Sequence, residues 1–99
     1  MTSDDDSAQC FLVEWYQFGP AALEAGDAAA QLTRAARTSS TRTQPVVLVM
    51  ALTVPHDRTL FGVFSAHSVD AVIHTCQHAG WPADRISTDV HPWLPPTPH

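Results

Sequence analysis

The residues here with the means to do chemistry are one acid in an apolar run, a scatter of histidines, and a carboxylate set two positions from an imidazole. Glu14 is the only charge in CFLVEWY, residues 10–16. A carboxylate in such surroundings is costly unless it is paired, protonated or bound to a cation. Asp89 and His91 stand at i and i+2 in RISTDVH, residues 85–91, so a strand there turns both to one face. His74 and His78 stand at i and i+4 in VDAVIHTCQHA, residues 69–79, a spacing at which one helix face can chelate one ion. His56 lies beside Asp57 in the turn PHDR, and His67 just ahead of a helix start.

Imidazole and carboxylate together suit nickel, zinc, cobalt or copper, with no soft thiolate demanded. Glu14, His56, His74, His78, Asp89 and His91 are therefore the candidate metal ligands, and each has an ordinary reading beside it. Glu14 can be a buried ion pair with Arg58 or Arg85, or a hydrogen-bonded neutral acid. His74 and His78 lie about opposite the apolar stripe of their helix and can be polar covering. His56, Asp57 and His67 can be caps or turn formers. No HExxH, CxxC, GxGxxG, P-loop or GxSxG motif is present, so neither nucleotide binding nor covalent catalysis has a named apparatus.

Composition narrows the partners. The chain has 99 residues, enough for one core of modest stability, and a formal charge of -5 from ten acids against five arginines, with no lysine. A surface without a basic stripe cannot follow a phosphate backbone, which excludes nucleic acid. No apolar run approaches the roughly 20 residues of a membrane span, and the acidic start MTSDDDSAQC is unlike a secretory signal. The sequence reads as cytoplasmic, with Cys10 and Cys76 as reduced thiols.

Positioning these groups falls to six elements. Residues 1–8, with the run Asp4, Asp5, Asp6, read as a disordered leader. Residues 10–16 read as a central strand. A helix opens near Pro20, with Ala22, Ala25, Ala29, Leu32 and Ala36 as its core face. Residues 45–54, PVVLVMALTV, are apolar at both alternating sets, as in a strand covered on both faces. PHDR turns into a third strand at 59–65. Ser68 caps a second helix over 69–79, which buries Val69, Val72, Ile73 and Cys76 and which Gly80 ends. A last strand at 85–91 alternates, with Ile86, Thr88 and Val90 toward the helices and Ser87, Asp89 and His91 away. The proline-rich residues 93–99 form an extended tail, whose Trp93 and Leu94 are free to pack on a neighbour.

Strand, helix, strand, strand, helix, strand with right-handed crossovers gives one ferredoxin-like α+β domain over residues 9–92. Its four-stranded antiparallel sheet has spatial order fourth, first, third, second, and both helices cover one face. Its open face would be apolar enough to demand a partner, so the expectation is a homodimer packed sheet to sheet, a dimeric α/β barrel-type association. In it Glu14 would meet Asp89 and His91.

Three stretches, FLVEWY, VPHDRTLFGVFSAHSVDAV and AGWPADRI, together resemble a family of small bacterial proteins of formerly unknown function that includes a nickel-binding, nickel-responsive protein of actinobacteria. The resemblance implies a ferredoxin-like fold, a homodimer and nickel. It carries across Glu14, since relatives tend to show an acid in the same VE pair, and it departs at His56 and Asp57, where relatives commonly have an acidic turn.

Three functions follow as expectations. The first is a non-enzymatic protein holding nickel or another divalent metal, for response or buffering. The second is a dimeric barrel enzyme or small-molecule-binding module, acting on a small hydrophobic substrate with Glu14 or His91 as base. The third is a regulatory interaction module with incidental histidines.

Overall fold

β-branched and aromatic side chains crowd residues 10–16, and in the computed structural model they form β1 (Gln9–Trp15). The structure describes residues 8–16, 25–41 and 44–93. The other elements are α1 (Ala25–Ser39), β2 (Val47–Val54), β3 (Thr59–Ala66), α2 (Val69–His78) and β4 (Arg85–Val90). The expected acidic leader and the start of the first helix near Pro20 lie outside the described residues, as does the tail from 94 onward. Among the described residues no helix is long and apolar enough to cross a membrane.

The four strands make one antiparallel sheet in the order β2-β3-β1-β4, the ferredoxin-like βαββαβ arrangement. One face of the sheet sends Phe11, Val13, Trp15, Leu60 and Phe64 into the core, where they meet Ala28, Leu32 and Ala36 of α1 and Val72 and Cys76 of α2. Gly62 sits on this face because a Cβ there would come within 3.3 Å of both the Phe64 and Trp15 rings. The Trp15 indole N–H donates to the Trp81 carbonyl at 2.8 Å.

Ser68 caps α2 by accepting the Ala71 N–H, as its position predicts. At the other end Gly80, at φ 81, turns the chain left-handed, and its N–H reaches the Gln77 carbonyl while that of Trp81 reaches Cys76. This double closure satisfies carbonyls that a bare helix end leaves unpaired.

Two expectations are corrected. The core face of α1 is Ala28, Leu32, Ala35 and Ala36, with Ala29 only half-buried. The helix serves two neighbours: Gln31 donates to the Ala79 carbonyl at the end of α2, which draws the Ala28–Ala35 side inward along with the sheet-facing side. In the single chain the second face of β2 is open, as the sequence reading has it before a partner packs there, with Val47 54%, Met50 43% and Leu52 45% exposed. The clean alternation of the last strand also fails, because Thr88 and Asp89 together stand against the single residue between Cys10 and Leu12. That bulge carries Asp89 to φ 61 and moves Val90 to the open face, opposite Cys10.

Candidate functional site

Direct cross-strand partners share a face, so the register defines the open one. It carries Cys10, Leu12 and Glu14 from β1, Phe61, Val63 and Ser65 from β3, Val47, Met50 and Leu52 from β2, and Arg85, Ser87 and Val90 from β4. The face is apolar across β2 and β3, and its charges lie in one corner.

That corner is built around Glu14. Its strand is central, so its side chain is only 15% exposed, and Arg85 stands directly opposite on β4. The guanidinium Nε lies 3.9 Å from Glu14 Oε2, a loose ion pair, while the Tyr16 hydroxyl donates to Oε1 at 2.8 Å. The hydrogen bond to Glu14 is the first cause that holds the Tyr16 phenol above its ordinary range. Asp84 ties the corner down, accepting the Tyr16 backbone N–H on Oδ2 at 2.7 Å and donating its own N–H to the Glu14 carbonyl at 3.0 Å. Of the readings open to Glu14, the structure places the counter-charge at Arg85. Tyr16 was legible only as a same-face neighbour at i+2, and nothing in the sequence marked it as the acid's donor.

Glu14 does not meet Asp89 and His91. The β1–β4 register sets it against Arg85, while Asp89 lies beyond Ser87 toward the opposite end of β4. There Asp89 Oδ1 and His91 Nε2 are 3.0 Å apart, both side chains are largely in solvent, and with Gln9, Cys10, Val90 and Pro92 they line an open hollow of about 430 Å³. The two-residue spacing did bring carboxylate and imidazole together, but through the bulge and not across a flat strand.

His56 lies exposed in the 3-10 turn Pro55–Asp57 that joins β2 to β3. His74 and His78 are exposed on α2, away from the buried Val72 and Cys76, and share a shallow hollow of about 350 Å³ with Gln77. The candidate ligands thus fall at four places, and among the described residues no three His, Cys, Asp or Glu side chains converge as a metal site would need. Cys10 and Cys76 are free thiols, and burial pushes Cys76 up to about 12, which keeps it protonated and unreactive.

No family model, curated protein or solved structure matches this chain.

Proposed function

We propose that this chain is a non-enzymatic, divalent-metal-binding protein of the cytoplasm that works as a homodimer, for metal response or buffering. The observation that carries the reading is the open sheet face, where Val47, Met50 and Leu52 lie in water beside half-exposed Leu12, Phe61 and Val63. Contiguous apolar surface of this kind marks an interaction site.

A second copy is the occupant that charge favours. The chain carries a net -5, yet among the described residues this face holds one acid and one base, Glu14 and Arg85, already paired. Two acidic molecules can meet there without net repulsion, and a two-fold axis lets the same patch serve both. Four strands about 4.8 Å apart and some seven residues long give on the order of 450 Å² of projected face per copy, roughly 900 Å² for a pair, just short of the about 1,000 Å² that a specific interface clears without further area. Trp93, 78% exposed just past β4, is available to extend it.

The metal half of the reading draws on donor chemistry: one pair of exposed imidazoles on α2, and the single imidazoles His56 and His91 next to Asp57 and Asp89, are ligand types that fit late first-row divalent ions, nickel among them. An enzymatic role for Glu14 as base draws no support from this corner, where the acid is held by the Tyr16 hydroxyl on Oε1 and by the loose Arg85 pair on Oε2.

Sedimentation of tag-free protein tests the dimer. Wild type is expected to be dimeric at about 100 μM, and Leu52→Asp monomeric with an unchanged circular dichroism spectrum, since Leu52 contributes nothing to the core. A monomeric wild type at that concentration removes the dimer. Calorimetry with nickel tests the metal: no binding tighter than about 1 mM, or roughly -4 kcal/mol, removes that half.

A further inference from the structure

We propose that His74 and His78 form a bidentate site for a late first-row divalent cation on the exposed side of α2. The inference rests on the metal half of the reading above and names its site. It does not depend on the dimer.

Residues four apart on a helix stack on one face with Cβ atoms about 5–6 Å apart, within reach of one ion for two imidazoles. Both histidines are exposed, and both line the same hollow, with Gln77 between them as a further oxygen donor. Among the described residues no hydrogen bond to either ring has to be broken to bring their nitrogens together. The contrast is the Asp89–His91 pair, whose donor atoms already hold one another at 3.0 Å at the bulge.

The backbone beneath the pair is firm. The Gly80 and Trp81 N–H groups lock the last turn of α2 onto the Gln77 and Cys76 carbonyls, and the Thr75 hydroxyl donates to the Ala71 carbonyl at 2.9 Å. Little ordering remains to be done when a metal arrives. His78 lies in the last turn, where the negative end of the helix dipole favours a cation. Two neighbouring charges bear on the site: Arg34 of α1 lines the groove on the far side of His78, and Asp70 stands one turn before His74 on the same helix.

Two imidazoles, one amide oxygen and water form a borderline donor set. Copper is expected to bind more tightly than nickel or zinc, and magnesium or calcium not at all.

The test is titration of the full, tag-free chain with Ni²⁺ and Zn²⁺ by calorimetry at pH 7.5. It compares wild type with His74→Ala, His78→Ala and the pair Asp89→Asn/His91→Ala. Alanine on an exposed helix face keeps or improves helicity, so these variants fold, and circular dichroism confirms it. Expected is at least about a tenfold loss of affinity in each α2 variant and wild-type affinity in the Asp89/His91 variant. Wild-type affinity in both α2 variants overturns the site while leaving a metal protein standing. An unresponsive wild type takes down the metal reading and this site together.

Discussion

The Tyr16 hydroxyl, just past the end of β1, donates a hydrogen bond back to Glu14 Oε1 across 2.8 Å. This contact converts a costly carboxylate into an anchored acceptor, and it can be read optically. The sequence contains one tyrosine, so tyrosinate absorbance reports this site alone. The hydrogen bond favours the protonated phenol, and the midpoint is expected above the ordinary 10.0. Glu14→Gln should bring it back down. Equal midpoints in the two proteins would mean that the contact does not persist in solution.

Cys76 supplies a pH dependence. Its folded-state value, about 12, lies above its ordinary 9.0, so the unfolded chain gives up the thiol proton first. The stabilisation is complete below about 9 and is lost as pH climbs toward 12. Chemical denaturation of wild type should weaken across that window, and Cys76→Ala should show a shallower slope. In the same range the buried Cys76 should resist alkylation for as long as the protein stays folded.

Gly62→Ala should destabilise the fold by about 1–3 kcal/mol, as overpacking a core does. The added methyl would press on Trp15 and Phe64, both held by the α1 and α2 side of the core. Indole fluorescence should shift as Trp15 moves. A variant as stable as wild type would mean that the rings yield freely.

The bulge at Asp89 can be tested by backbone preference, since the side chain lies in solvent. A φ of 61 is tolerable for Asp and Gly but strained for a β-branched residue. Asp89→Val should cost about 1–2 kcal/mol, and Asp89→Gly less than about 1 kcal/mol. Equal melting temperatures for the two variants would argue for a regular strand.

The elements were legible because their signals are local. The apolar run at β1, the cap at Ser68 and the glycine after α2 act over a few residues, and strand order follows from chain connectivity and handedness. The readings that needed correction each involved a neighbour distant in sequence. Which alanines of α1 are buried depends on how α2 leans against it, through Gln31 and Ala79.

The candidate site divides in the same way. Composition alone named Glu14 as an acid needing a counter-charge and offered Arg85 as one of two choices. The β1–β4 register made the selection by setting the two opposite each other. Sequence spacing paired His74 with His78, because a helix repeats at a fixed pitch. It could not place Asp89 and His91 relative to Glu14. One inserted residue in a ladder reverses which face every later side chain takes, and the insertion is made by the pairing of two strands more than seventy positions apart.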